Sequence, residues 1–332
     1  MTAAPGMGTL LLVKLARARP RVALAVGLAT LVAVLAGGCG GNVADPSLHG
    51  VPVQGFPSWR ERSLLVLTNA VRMAPLDWRA RYGADFSPSL SDARALDAYP
   101  AVGPVWWNAG LNRSARAHSE DMARTPCWGH DSCDGTSWSV RIRSYYSLSG
   151  GIGENIAAGY PAPADPRFAM NMWLCDESGS ACCADGASCD GHRRNMMSGS
   201  WRALGTGYGY AAGSPYQNYW TQDFGGASDS SEPPLVDGSH LLIGSEVVFL
   251  ANWADAAAPR SISVVVDGAA TTLMLDLGGA TRGTWSARMA RATACRSYHL
   301  TAIDGAGTPW RYPATGEFRT FGEGSCAEDW RP

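Results

Sequence analysis

Two histidines and two acids are the residues best suited to chemistry in this sequence: His130, Glu154, Asp176 and His192. Imidazole nitrogens and carboxylate oxygens together suit zinc or a similar divalent ion. The same groups can act as acid and base on a water molecule. We therefore expect the four residues to line a cleft that binds a small ligand or a divalent metal such as zinc, and we take His130, Glu154 and His192 as the candidates for any catalytic role.

A structural alternative exists for each of these residues. Glu154 can accept backbone amides at a turn, and the histidines can line a cleft without a ligand. The chain lacks the His-Glu-x-x-His and Gly-x-Ser-x-Gly signatures, and no cysteine lies in a nucleophilic setting. His118 shares a helical face with Leu111 and is expected to be a core histidine bonded to a backbone carbonyl.

The elements that must position these side chains can be read from capping and periodicity. Ser58 and Glu61 form a capping box that starts a helix ending near Met73. Asn108 caps a second helix that runs to about Arg124. Further helices are predicted from 140 to about 146, from 165 onward and as one turn at 192–197. Strands are predicted at 201–210 and 219–224, and no element is assigned between 77 and 105.

Several short motifs recur in one order along this region. They are Asn69-x-x-Arg72, Trp107-Asn108-x-x-Leu111, His130, Gly153-Glu154-Asn155-Ile156, Trp173, Gly191-His192-Arg193-x-Asn195-Met196-Met197, Gly205-x-Gly207-Tyr208 and Tyr219-Trp220-Thr221-Gln222-x-Phe224-Gly225. Together they resemble the CAP superfamily, also called the SCP domain, over roughly residues 64–224. The resemblance implies an α+β fold, a three-layer α-β-α sandwich with a central groove.

The family groove carries two histidines and two acids in many members. His130, Glu154 and His192 match three of these, and Asp176 is at the position of the fourth. Asp176 is a departure, because eukaryotic members have Glu there and many bacterial members have Ser; Glu177 is the neighbouring candidate. The resemblance implies binding more often than catalysis, with a lipid, sterol-like molecule, glycan or peptide as ligand.

Cysteine usage predicts export. Apart from Cys39 the cysteines form an even set, which in an exported chain indicates disulfides. The set is Cys127, Cys133, Cys175, Cys182, Cys183, Cys189, Cys295 and Cys326. Cys127 and Cys133 can staple one loop, and Cys295 is expected to pair with Cys326. The connectivity of the four cysteines between 175 and 189 stays open.

The N-terminus has the features of a secretory signal. Basic residues precede a short apolar run, and small residues lead to Cys39. This resembles a bacterial lipoprotein processing site, with Ala36 where that pattern prefers Leu. We expect lipidation of Cys39 and a cell-envelope lipoprotein of the outer membrane or surface, with plain secretion as the alternative. The lipid would be the sole membrane contact.

The last third of the chain changes character. Short strands with Asp-Gly turns follow a linker and predict an all-β sandwich. The strands are expected at 246–250, 261–266, 271–275, 284–289 and 298–303. Exposed aromatics there could bind carbohydrate at the cell envelope, although a role in the core is favoured. The candidates are Trp253, Trp285, Trp310 and Tyr312.

Composition excludes one class of partner. The formal net charge of -2 and the absence of a basic face argue against nucleic acid. The predicted organisation is a signal peptide at 1–38, a flexible tether at 39–57, a CAP domain at 58–227, a linker at 228–237 and a β-sandwich domain at 238–332.

Overall fold

The computed structural model describes residues 48–86, 94–159, 164–175, 182–229 and 231–332. The predicted signal peptide, Cys39, Asp176 and Glu177 lie outside these ranges. Within them, none of the helices combines the length and the apolar character needed to cross a membrane.

Six helices of the described chain precede its β-rich part. They are α1 (Trp59–Met73), α2 (Pro75–Phe86), α3 (Ala109–Arg124), α4 (Trp138–Tyr145), α5 (Pro166–Cys175) and α6 (Gly191–Met196). Both expected caps are formed. Ser58 and Glu61 make the full capping box of α1, and the Asn108 side chain accepts from the Leu111 amide at 2.9 Å. Helix α2 lies where no element was predicted.

A four-stranded sheet forms the middle of the first region. Its strands are β1 (Trp106–Trp107), β2 (Ile152–Gly159), β3 (Ala203–Tyr210) and β4 (Asn218–Gly225), in the order β1-β3-β4-β2. Strand β1 is parallel to β3, and the other pairs are antiparallel. The strand β2, which carries Glu154, was not assigned from the sequence.

Helices cover both faces of this sheet. Thr221 on β4 bonds Ser119 of α3 at 2.8 Å on one face. Gln222, the next residue, donates to Thr68 of α1 at 2.7 Å on the other face, because successive strand residues point in opposite directions. The first region is therefore the three-layer α-β-α sandwich that the family resemblance implied.

The second region is a β-sandwich. Its first sheet contains β5 (Leu235–Ile243), β6 (Glu246–Ala254), β10 (Arg282–Ala290) and β9 (Met274–Gly279), in the order β5-β6-β10-β9. Its second sheet contains β14 (Trp330–Arg331), β13 (Glu317–Arg319), β11 (Ser297–Ile303), β7 (Ser261–Val266) and β8 (Ala269–Thr272), in that order, with β12 (Pro309–Tyr312) also paired to β11. Phe249 and Trp253 of the first sheet share a core with Val264 and Leu300 of the second.

Helix α1 lies between the two regions. One side of it meets the sheet of the first region, and Leu64 and Leu67 share a core with Val248 and Leu250 of β6 on its other side. Strand β6 is therefore buried on both faces, which explains its continuous apolar run. Every residue of α1 except Arg60 is buried.

Three boundaries differ from those expected. Residues 48–57, predicted as tether, fold back on the second region, where His49 Nε2 donates to the Leu235 carbonyl at 2.9 Å. The predicted linker 228–237 contains the first three residues of β5, and its last residue, Asp237, is buried against α1. The single strand expected at 271–275 is two, since the chain crosses between the sheets at the buried Leu273.

The aromatic candidates of the second region are largely core residues. Trp253 and Tyr312 are buried, and Trp285 and Trp310 are partly buried against the same core.

Candidate functional site

The site begins with an unusually close contact between helix α3 and strand β3. Gly205 and Gly207 face the helix, and a Cβ on either would overlap the α3 backbone at 111–112 and 115–116. Only glycine permits this approach. The helix is thereby brought down onto the sheet, so that its Ser114 and His118 lie over the neighbouring strands β4 and β2.

Glu154 projects from β2 into this layer, and both of its carboxylate oxygens are engaged. Oε1 accepts a hydrogen bond from His130 Nδ1 at 2.8 Å, and Oε2 is ion-paired with Arg141 of α4. The Glu154 side chain is 1% exposed, whereas that of His130 is 49% exposed. The carboxylate therefore holds the imidazole from the inside of the protein.

The loop that carries His130 is held at several points. A disulfide joins Cys127 to Cys133 on either side of the histidine. Arg141 Nη1 donates to the His130 carbonyl at 2.9 Å, and His118 Nε2 donates to the Gly129 carbonyl at 2.9 Å. These contacts fix the backbone around His130, so its ring is presented from a rigid loop.

His118 has the structural role that its spacing predicted. The ring is fully buried, and burial lowers its pKa to about 4. At neutral pH it is therefore an uncharged group that braces the His130 loop.

Asp223 completes the site, and sequence analysis missed it. It is the cross-strand partner of Glu154 in the β2–β4 pair, so both carboxyl groups project from the same face. Asp223 is fully buried. Burial, and next the charge of Glu154, raise its pKa well above the usual range. The neutral form of Asp223 is thus favoured, and the guanidinium of Arg141 pairs with Glu154.

A signal for Asp223 was present in the sequence. It is the single charged residue in β4, all eight residues of which are buried. A buried acid inside a strand carries a large desolvation cost and is uncommon without a specific role. Neither Asp223 oxygen nor His118 Nδ1 has a hydrogen-bond partner among the described residues.

Helix α6, which carries His192, packs against the other face of β2. The side chain of Asn155, which points away from Glu154, donates to the His192 carbonyl at 3.2 Å. Asn195 donates to Asn155 Oδ1 at 3.0 Å and to the Glu154 carbonyl at 3.2 Å. Arg193 is ion-paired with Asp185 and donates to the Leu174 carbonyl. Arg193 and Asn195 therefore brace the His192 turn.

The described part of the expected metal-binding set does not form a ready coordination site. Among the residues that the structure describes, the one group of three potential ligands within 4.8 Å of one another is Asp121, Cys127 and Cys133, and both cysteines are in a disulfide. Glu154 faces a guanidinium, which opposes a cation at the same carboxylate. Direct coordination by Glu154 therefore does not fit this geometry.

Three further disulfides are formed in the described chain. They join Cys175 to Cys182, Cys183 to Cys189 and Cys295 to Cys326. The first two close the segment between α5 and α6, whose connectivity the sequence left open.

Comparison with known proteins identifies the first region. The family model described as "CAP: Cysteine-rich secretory protein family" matches residues 65–224. Residues 65–224 therefore form a CAP domain. No curated protein matches the chain. Disulfides and membership of this secretory family indicate that the protein is exported.

Solved structures give weaker likenesses. An extracellular SCP-domain protein from Bacillus anthracis is 22% identical, with a TM-score of 0.32, covering 50% of this chain and 39% of its own. Venom allergen-like protein 4 of Schistosoma mansoni is 16% identical, with a TM-score of 0.31, covering 52% and 92%. OgpA of Akkermansia muciniphila is 14% identical, with a TM-score of 0.19, covering 26% and 28%. This chain thus spans well under half of the Bacillus protein.

Proposed function

We propose that the CAP domain of this exported protein is a binding module whose ligand contacts the exposed edge of His130. Glu154, Arg141 and Asp223 then act from the protein interior, where they set the orientation and charge of that edge. The observation that carries the proposal is the engagement of both Glu154 oxygens, one by His130 and one by Arg141.

The same observation argues against a hydrolase that uses Glu154 as its base. A general base must reach the proton that it removes, directly or through one water. Glu154 is almost fully buried, and both of its carboxylate oxygens are already bonded, one by His130 and one by Arg141. Asp223 beside it is fully buried and equally out of reach of a substrate. A metal-assisted hydrolase remains the second candidate function, with His130 as the sole exposed member of this cluster.

We also propose that the exported protein is anchored to the cell envelope by a lipid. The apolar run before Cys39, followed by small residues, supports a lipid anchor at that cysteine. The ligand would then be met at the cell envelope. Mass spectrometry of the mature N-terminus tests this point; a free amine on a residue beyond Cys39 contradicts the anchor.

The binding proposal is tested by measuring binding and turnover on the same variants. The chain starting at residue 40 is screened on saccharide and lipid arrays and against ester, peptide and glycoside substrates. We expect binding without turnover, and a loss of binding on the order of tenfold in His130→Asn, since a hydrogen bond of about 1.4 kcal/mol is removed.

His299→Asn is the matched control, because His299 is a partly buried histidine of the second region. It should bind like the wild type. Turnover that is lost both in His130→Asn and on addition of chelator would establish the hydrolase instead. A wild-type protein that binds none of the arrayed compounds would also contradict the proposal.

A further inference from the structure

Three aromatic rings lie together beside the His130 loop. Trp128 is two residues before His130, and its ring centroid is 5.6 Å from that of Tyr216 and 6.3 Å from that of Tyr219. Tyr216 and Tyr219 meet edge to face at 6.0 Å. Trp128 is 47% exposed and Tyr216 is 40% exposed, whereas Tyr219 is buried. We call Trp128 and Tyr216, supported by Tyr219, the aromatic platform.

The platform is rigid, which distinguishes it from scattered surface aromatics. Trp128 belongs to the loop closed by the Cys127–Cys133 disulfide. Tyr216 belongs to the β3–β4 turn, where the Ala211 amide donates to the Gln217 carbonyl at 3.0 Å. An aromatic surface that is already ordered loses little conformational entropy when a ligand binds.

The platform lies on the same face of the sheet as Glu154 and Asp223. Tyr219 and Asp223 are four residues apart on β4, which corresponds to about 13 Å along the strand. His130 follows Trp128 by two residues and bonds Glu154, the cross-strand partner of Asp223. A ligand that stacked on the platform and continued along this face toward the acids would therefore be an extended molecule rather than a single small ring.

The charges around the platform restrict that ligand. Asp131 and Asp134 are exposed on the His130 loop. Backbone amides of Trp138 and Thr136 occupy one oxygen of each, and no described basic side chain forms an ion pair with either acid. A negatively charged ligand would be repelled by these carboxylates. A ligand with hydroxyl groups can donate to them.

We propose that this face binds a saccharide chain without net negative charge. The apolar face of one sugar ring stacks on Trp128 and Tyr216, and hydroxyl groups of the chain bond Asp131 and the His130 edge. Sugar rings combine a flat apolar face with a polar rim, and the platform with its acidic margin is complementary to both. The proposal rests on the binding role of His130 and adds the chemical class of its ligand.

The test is calorimetric titration with chitohexaose, a neutral oligosaccharide, with heparin as the anionic contrast. The wild-type chain should bind chitohexaose and not heparin. Trp128→Ala should weaken chitohexaose binding on the order of tenfold through lost stacking. Trp128→Phe keeps an aromatic face and should remain within about threefold of the wild type. Tyr210→Ala is the control, since Tyr210 is 57% exposed on the opposite face of the sheet.

Each outcome separates this inference from the binding proposal. If His130→Asn weakens binding of chitohexaose or heparin while Trp128→Ala does not, the platform is refuted and the role of His130 stands. If the wild type binds heparin and not chitohexaose, the saccharide class is wrong. If neither variant changes the affinity for any ligand, both proposals fail.

Discussion

Two polar clusters that contain buried acids differ in the groups that surround the carboxyls. Glu154 and Asp223 adjoin a guanidinium and a half-exposed imidazole. Asp237, between α1 and the β-sandwich, is bonded at 2.6 Å by Asn69 and at 2.7 Å by Asn252. The first cluster therefore has a counter-charge and access to solvent, and the second has neither.

The difference shows which cluster serves binding and which serves architecture. The Asn69 side chain is fixed by the Val105 backbone. It donates to the Val105 carbonyl and accepts from the Val105 amide, both at 2.8 Å. Asn252 donates to the Val66 carbonyl and accepts from Thr284. Asp237 thus joins α1 to the β-sandwich through two asparagines whose side chains also bond other groups of the protein. In the Glu154 cluster the outward-facing partner is a titratable ring on the surface.

The largest effect should follow removal of the counter-charge. Arg141→Met leaves the Glu154 carboxylate buried without its cation, which should lower the free energy of unfolding by about 3–5 kcal/mol. Urea denaturation measures this change. Arg143→Met on the same helix is the control. Arg143 is exposed, donates to the carbonyls of Leu148 and Gly150 and lies over the Tyr146 ring, so about 1 kcal/mol or less is expected. Equal losses of unfolding free energy in the two variants would show that Arg141 is no more important to stability than an exposed arginine of the same helix.

The second prediction concerns pH and Asp237. Burial raises its pKa to about 7, against the hydrogen bonds from Asn69 and Asn252 that lower it. Between pH 4 and 7 the folded state keeps a proton that the unfolded chain releases, so stability is present at low pH and is lost as pH rises through 7. The loss at this group is at most on the order of 4 kcal/mol.

Asp237→Asn should flatten that dependence, because an amide does not titrate there. His118 and His240 have lowered pKa values, about 4 and about 3, and give the opposite slope. Glu61, with a pKa raised to about 7, gives the same slope as Asp237. The difference between wild type and variant isolates Asp237, and identical pH profiles would show that it does not titrate in this range.

The third prediction exchanges each acid of the Glu154 cluster for its amide. Glu154→Gln leaves Arg141 buried without an anion and should cost about 2–3 kcal/mol. Asp223→Asn imitates the protonated acid and should cost less than about 1 kcal/mol. Thermal unfolding of both variants tests the assignment of the charge. A larger loss in Asp223→Asn would place the charge on Asp223.

A structural feature could be predicted from the sequence when the residues that form it are close together in the chain. The caps of α1 and α3 depend on residues three positions apart, and they could be predicted from the sequence. The burial of α1 on all sides depends on β6, which is more than 170 residues further along the chain. Strand β5 was hidden by a Pro- and Ser-rich segment, and the pairing of Glu154 with Asp223 required the strand register.

Motif order predicts one shared pocket for His130, Glu154 and His192, and the place of the His192 ring in that pocket stays a prediction. The structure joins His130 to Glu154 directly, but it packs the His192 helix on the face to which Asn155 points. Glu154 and Asn155 are adjacent, so a one-residue difference on β2 separates the two layers.

The smallest expected effect is that of zinc. Because Arg141 occupies the Glu154 carboxylate, adding zinc should give no saturable uptake by calorimetry and should not raise the melting temperature. His130→Asn should behave like the wild type in this assay. Uptake of one zinc per chain that disappears in His130→Asn would instead establish a metal site that includes His130.

The central claim is that Glu154 acts through His130 and not on a ligand, and the tautomer of His130 tests it most directly. A carboxylate can only accept, so the hydrogen bond to Glu154 requires the proton of the neutral ring on Nδ1. Two-bond nitrogen–proton NMR spectra of histidine-labelled protein, with His130→Asn to assign the signal, distinguish the two tautomers. We predict that the neutral ring of His130 is protonated on Nδ1 in the wild type. In Glu154→Gln this tautomer should no longer be the major form. A neutral His130 protonated on Nε2 in the wild-type protein would contradict the account.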